Sequence, residues 1–195
     1  MTESLRVAAV VLAAGASRRM GRNKLLLPIE GEPMVHRTVR RVLDAGCSPV
    51  VVVTGHESDK VRAALAPLAV TFTESPDPTG PTSATLHAGI RALGGDVDAV
   101  LVMLADMVQV TTPMLRDVVA ALRESEAPLA VSRYGDVLAP PLLFRRALWP
   151  ELLAWTGEGC GKAVVRAHQD EARMRDWPVE ALRDVDTPED YELLR

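Results

Sequence analysis

The chain of 195 residues is poor in cysteine, and Cys47 and Cys160 stand too far apart to form a disulfide framework, which makes a reducing, cytoplasmic setting the expectation. It has no apolar run of membrane-spanning length. Met1 leads into a strand-like segment within a few residues, so no basic leader with a hydrophobic core and cleavage site is expected. Excess positive charge is also missing. The 22 Lys and Arg against 26 Asp and Glu leave a net charge of −4, which argues against a general nucleic-acid surface. Neither a membrane nor a nucleic acid is expected as partner. Internal repeats, low-complexity tracts and linkers are absent, and length and composition fit a single domain over residues 1–195.

What the chain does have is concentrated between Val10 and Pro28, VVLAAGASRRMGRNKLLLP. Ala8 to Leu12 is short, apolar and bounded by turn residues, the pattern of a strand buried on both faces of a parallel sheet. Gly15 and Gly21 allow backbone conformations and close approaches that side chains would block, so successive amide N–H groups can turn toward one anion. Ser17 adds a hydroxyl, and Arg18, Arg19, Arg22 and Lys24 add positive charge. The combination reads as a polyphosphate cradle. It matches neither standard nucleotide loop, because Gly21 is followed by Arg22 and Asn23 rather than Lys and Ser or Thr, and the dinucleotide glycine spacing is missing.

Farther along, helical spacing over Pro33 to Ala45 leads to the apolar segment Val50 to Thr54. The alternation repeats through Ser58 to Leu65, Ala69 to Thr73, Ala84 to Leu93 and Ala99 to Leu104. These alternating segments predict an α/β fold, a three-layer Rossmann-like domain with a mostly parallel central sheet. Right-handed crossovers should place helices on both faces, with the ligand beyond the carboxyl ends of the strands. Met114 to Leu122 continues as a helix and Leu129 to Ser132 as a strand. Tyr134 to Pro141 reads as turn-rich, Leu142 to Phe144 as a short strand, and helices follow through Leu152, near Lys162 to His168, and from Thr187.

Asp106 lies just past the end of the Val100–Leu104 run, where a carboxylate faces the ligand crevice. Thr111 or Thr112 caps the next helix, leaving Asp106 uncommitted and suited to Mg²⁺, which takes oxygen ligands and bridges substrate phosphates. Near the end, Asp184 and Asp186 alternate on an extended segment and point to the same side, while Thr187, Glu189 and Asp190 read as capping. Thr82 and Ser83 are open to two readings, helix cap or contact with a base. The four histidines lack mutual metal spacing and, like the two cysteines, are not expected in catalysis.

The first loop resembles the LAAGxSxRMGxxKxLLP signature of the nucleotidyltransferases that include molybdenum cofactor cytidylyl- and guanylyltransferases. Leu12, Ala13, Ala14, Gly15, Ser17, Arg19, Met20, Gly21, Lys24, Leu26, Leu27 and Pro28 all fall on it, and Gly31, Pro33 and Met34 extend it. The resemblance implies that this loop wraps a triphosphate, with Arg19 and Lys24 on phosphate oxygens and the first small residues beside the base. Ala14, where guanylyltransferases tend to carry Gly, tilts the base toward CTP. It also implies that Asp106 binds Mg²⁺ with Asp186 as second ligand and Asp184 next in line, and that Ser75, Thr82 and Ser83 lie in the segment that contacts base and ribose. The chain differs from the family pattern in having Ala105 and Val108 for Gly and Pro, Ser75 for Asn, and Pro81 near an expected Gly. It also has Ala139–Pro140–Pro141 where a polar acceptor-side motif is usual, and Lys162 for a small residue.

The expected function is Mg²⁺-dependent transfer of CMP from CTP to a molybdopterin acceptor with release of pyrophosphate, serving a molybdoenzyme or its chaperone. Two alternatives stay open: the same chemistry on another phosphorylated acceptor such as a sugar phosphate, or a non-catalytic nucleotide or molybdopterin carrier for a partner enzyme.

Overall fold

The computed structural model describes residues 5–17, 20–159, 161–182, 185 and 188–192. Strand β1 (Val7–Ala13) is buried along its whole length, as its unbroken apolar run requires. A two-residue hairpin, β2 (Pro28–Ile29) with β3 (Glu32–Pro33), precedes helix α1 (Met34–Asp44). Then come β4 (Val50–Thr54), α2 (Ser58–Leu65), β5 (Thr71–Glu74), α3 (Thr82–Ala92), β6 (Ala99–Leu104) and α4 (Thr112–Arg123). The second half comprises β7 (Leu129–Tyr134), β8 (Val137–Arg145), α5 (Trp149–Ala154), α6 (Lys162–Ala167), β9 (Arg173–Trp177) and α7 (Pro188–Glu192).

Seven strands form one sheet in the order β5-β4-β1-β6-β8-β7-β9, with β8 antiparallel to both neighbours and the rest parallel. The chain moves outward from β1 to β4 and β5, then crosses back through α3 to β6, so the order reverses beside β1. Alternation along β1 feeds two cores. Ala9, Val11 and Ala13 pack with α1, α2 and α4, while Ala8, Val10 and Leu12 pack with α3, α5 and α6. Gly89 lets α3 sit close on the sheet, since a Cβ there would lie 2.3 Å from Val10 Cγ1.

Three expectations are corrected. The connection β6–α4–β7 travels away from β1 on the side opposite to β4, yet α4 shares the face of α1. It therefore has the opposite hand to the crossovers through α1, α2 and α3, against the strong general preference. The segment expected as turns from Tyr134 belongs to β7 and to the long strand β8. There Val131 pairs with Leu142 and Ser132 with Ala139, so Pro140 and Pro141 occupy a bulge where no ladder N–H is needed. The expected Ala69–Thr73 strand begins later, at Thr71, because Val70 closes a turn onto Leu68.

Pairing of β8 with β6 stops at Val102 opposite Leu142, so the end of β6 and the Ala139–Pro140 stretch diverge. Among the described residues, no helix is long and apolar enough to cross a membrane.

Candidate active site

The carboxyl ends of β1 and β6 lie side by side at the point where strand order reverses, the usual place for a ligand crevice in such a sheet. Beyond β1 the chain turns sharply, with Ser17 at φ 49° and Gly21 at φ 64°. Ser17 closes this loop: its carbonyl accepts from Met20 N–H (3.0 Å) and its Oγ from Lys24 N–H (3.1 Å). Asn23 is buried, accepting from Leu25 N–H (3.1 Å) and donating to the His56 carbonyl (3.4 Å).

This folding brings Lys24 Nζ to 2.7 Å from Asp106 Oδ2, with the two side chains only 13% and 19% exposed. Asp106, uncommitted in the sequence reading, is thus partnered. The loop behind it is firmly held despite Ala105 and Val108, because both are buried and Ala105 N–H donates to the Leu12 carbonyl (3.1 Å). Arg41 of α1 completes the support, its Nη1 donating to the carbonyls of Val108 (2.5 Å) and Val110 (2.8 Å). Burial holds the Arg41 guanidinium below its usual pKa. Thr111 caps α4 through Met114 N–H, as expected.

Leu12, Ala13, Ala14, Gly15, Ser17, Lys24, Thr82 and Asp106, all singled out from sequence, line one cleft. Leu25, Pro78, Gly80, Thr85 and Leu104 complete it. Three other candidates lie elsewhere. Gly21 lines a separate groove on the outer side of the loop with Arg22, His56 and Lys60. Ser75 is buried behind Thr85, the two hydroxyls 3.0 Å apart. Ser83 turns away: its Oγ accepts from Gly157 N–H (3.0 Å) and its N–H donates to the Gly157 carbonyl (3.1 Å).

Neither Thr82 nor Ser83 is the helix cap, since Pro81 holds that position without a side-chain bond. The exposed N–H groups of the first turn are met from outside instead, Thr82 N–H by Glu158 Oε2 (3.2 Å), a carboxylate well placed against the helix dipole. Arg19 and Asp186, along with Arg18, Asp184, Thr187 and Cys160, lie outside the described residues.

Sequence reasoning missed Gly55. A Cβ there would meet the Ala14 carbonyl oxygen at 2.8 Å, Pro78 Cβ at 2.8 Å and Ala14 Cβ at 2.9 Å, so the end of β4 needs glycine to close against the cleft floor. Its only signal was a glycine directly after a buried strand. Arg41 gave no signal, because its partners are distant backbone carbonyls, and the one local sign at Asn23 was an amide placed to cap the turn at Leu25 N–H. Cys47 is inert as expected, burial pushing its thiol up to about 12.

No group of three or more His, Cys, Asp or Glu converges among the described residues. One carboxylate aimed into a cleft suits a hard cation that draws its other ligands from water and substrate phosphates, as Mg²⁺ does, better than a metal needing a protein cage.

A second cleft adjoins the first through Leu104 and occupies the space where β6 and β8 diverge. Met107, Val137, Ala139, Pro140, Gly159, Lys162 and Leu182 line the rest of it. The structure thus gathers the Pro140 and Lys162 segments, far apart in sequence, beside Asp106.

Residues 9–172 match the family described as the MobA-like NTP transferase domain. The chain is 30% identical to the purine catabolism protein PucB of Bacillus subtilis over 95% of this chain and 94% of that one. It is also 30% identical to a probable molybdenum cofactor guanylyltransferase of Synechococcus elongatus, over 96% and 97% of the two chains. The crystal structure of Rv0371c from Mycobacterium tuberculosis superposes with a TM-score of 0.84 at 26% identity, covering 98% of each chain, and that protein has also been solved in complex with manganese.

Proposed function

This chain belongs to the MobA-like NTP transferase family, and from that premise we propose that it transfers CMP from CTP to a phosphorylated acceptor of the molybdopterin type. The observation that carries the reading is the Lys24–Asp106 pair across a cleft walled by the ends of β1 and β6. A triphosphate laid over Gly15 and Ser17 meets the Lys24 ammonium, whose charge offsets that of the leaving pyrophosphate. A phosphate oxygen of the acceptor attacks the α-phosphorus in line, the bond to the β-bridging oxygen breaks, and pyrophosphate departs. Positioning and electrostatics supply the catalysis, without a covalent enzyme intermediate. Mg²⁺ held by Asp106, with Asp186 as the second ligand implied by resemblance, would supply further charge neutralisation on the phosphates. The manganese complex of the mycobacterial relative supports a divalent ion in this fold.

The preference for CTP rests on Ala14, whose methyl is buried in the cleft and packed beside Gly55. The guanylyltransferase name of the cyanobacterial relative makes GTP the competitor to test. Retention of paired Lys24 and Asp106 favours turnover over a carrier role, which has no use for a pyrophosphate-leaving apparatus.

Incubation with each NTP, Mg²⁺ and molybdopterin, read as pyrophosphate release, tests the proposal. CTP should exceed GTP by roughly ten- to a hundredfold in specificity constant, the range expected of one small steric difference. A preference for GTP overturns the base assignment. Absence of pyrophosphate with every NTP overturns the function. Asp106→Asn should keep the fold and lose most Mg²⁺-dependent turnover, and full activity at low Mg²⁺ would place the ion elsewhere.

A further inference from the structure

Thr82 is the first residue of α3 and lines the cleft at the ends of β1 and β6, and both of its hydrogen-bond donors are committed to one residue outside that cleft. Its N–H and its Oγ1 each donate to Glu158 Oε2, at 3.2 Å and 2.5 Å. Glu158 is exposed and is not among the residues lining the cleft. Its neighbours hold it there from both sides, since Gly157 is bonded twice to Ser83 and the Gly159 carbonyl accepts from Lys162 N–H (2.8 Å). Gly157 at φ 138° and Gly159 at φ 103° give the chain a path that side chains rarely follow.

The chemistry of the two groups fixes the direction of that bond. A carboxylate only accepts, whereas a threonine hydroxyl has one proton and two lone pairs, so with its proton on Glu158 only lone pairs are left to face the cleft. Thr85 differs. Its hydroxyl lies 3.0 Å from that of Ser75 and either can be the donor, so nothing sets which way its proton points. A phosphate oxygen brings Thr82 no proton to accept, and in the nucleotidyltransferase reading the triphosphate lies with Lys24, which leaves Thr82 to the nucleoside. We propose that Glu158 is a positioning residue that makes Thr82 a pure acceptor, and that Thr82 thereby selects a nucleoside presenting an N–H or O–H donor, the exocyclic amine of cytosine or a ribose hydroxyl. A ligand that brings a carbonyl oxygen there sets lone pair against lone pair, with the proton held away by Glu158. The inference rests on the nucleotide-binding reading of the cleft and not on the transfer reaction or its acceptor.

Titration calorimetry tests it without turnover, with CTP, UTP, 2′-deoxy-CTP and 3′-deoxy-CTP each added to the protein and Mg²⁺. CTP should bind roughly three- to tenfold tighter than the analogue lacking the donor that meets Thr82, the worth of one hydrogen bond. A deficit with UTP identifies the amine, and one with a deoxy analogue the ribose. Thr82→Val should narrow that preference by the same factor. Glu158→Ala should do likewise, because the freed hydroxyl can turn its proton toward an incoming acceptor, whereas Glu158→Gln, whose amide oxygen can take both Thr82 donors, should keep most of it. Thr82→Val combined with Glu158→Ala should narrow it no further than Thr82→Val alone, since Glu158 acts through that hydroxyl. Ser83→Ala releases Gly157 without touching the Thr82 hydroxyl and should leave the preference where it is. A loss in Glu158→Ala that is equal for every nucleotide marks a merely structural role and overturns the proposal, as does an additive double variant or equal wild-type binding of all the nucleotides. A Glu158-dependent preference without pyrophosphate release from any NTP upholds this assignment and sinks the transfer reaction alone. Failure of every nucleotide to bind overturns both.

Discussion

Replacing Lys24 with Met separates the observed pairing of its ammonium with Asp106 from its proposed role as a ligand of phosphate. At 2.7 Å the pair is in direct hydrogen-bonded contact, and exposures of 13% and 19% place it between a surface pair and a fully buried one. Exposed pairs contribute under about 1 kcal/mol, whereas removing one member of a buried pair costs about 3–5 kcal/mol. Lys24→Met should therefore lower stability by about 2 kcal/mol, or about 4–8 °C in Tm for a chain of this size. Asp106→Asn should cost less, about 1 kcal/mol, because the amide oxygen can still accept from Lys24. Urea unfolding of both single variants and the double variant gives the coupling directly, expected at about 1–2 kcal/mol.

The nucleotide arm discriminates further. In EDTA, Lys24→Met should weaken CTP binding about ten- to a hundredfold through loss of a charge-assisted bond. Asp106→Asn should strengthen it under the same conditions, since a carboxylate that competes for Lys24 and repels the triphosphate is gone. Wild-type stability and CTP affinity in Lys24→Met would refute the reasoning. So would weaker metal-free CTP binding in Asp106→Asn.

Gly55→Ala forces a methyl to within 3 Å of Ala14 and Pro78 and should cost about 1–3 kcal/mol by overpacking, with a raised nucleotide KM; denaturation and initial rates check both. Ala14→Gly should narrow the CTP over GTP margin roughly tenfold without abolishing CTP use, read by competition between the two nucleotides. His168 lies between Glu151 and Glu171, and its hydrogen bond to Glu151 above all raises its pKa from 6.5. The stabilisation it gives is complete below that ordinary value and is lost as pH rises through the raised one. His168→Gln should therefore remove an excess of stability at pH 6 relative to pH 8, and an unchanged pH profile would refute the assignment.

The amino-acid order alone determined the strands of the parallel core. β4 and β6 run over Val50–Thr54 and Ala99–Leu104 as read, because a strand buried on both faces leaves a local, unbroken apolar signature. The cleft-lining loop was legible for a similar reason: Gly15, Ser17 and Lys24 lie within one short segment and line one cleft. Tertiary structure alone decided the pairing of Lys24 with Asp106, the need for glycine at Gly55, the capture of Ser83 by Gly157 and the Arg41 contacts behind Asp106. Each depends on which strand ends lie together, and that is set by sheet order, not by local propensity. Pro140 and Pro141 show the difference most plainly. Locally they read as a turn, yet a bulge on β8 accommodates both where the pairing with β6 has ended, beside the cleft that Ala139 and Pro140 line.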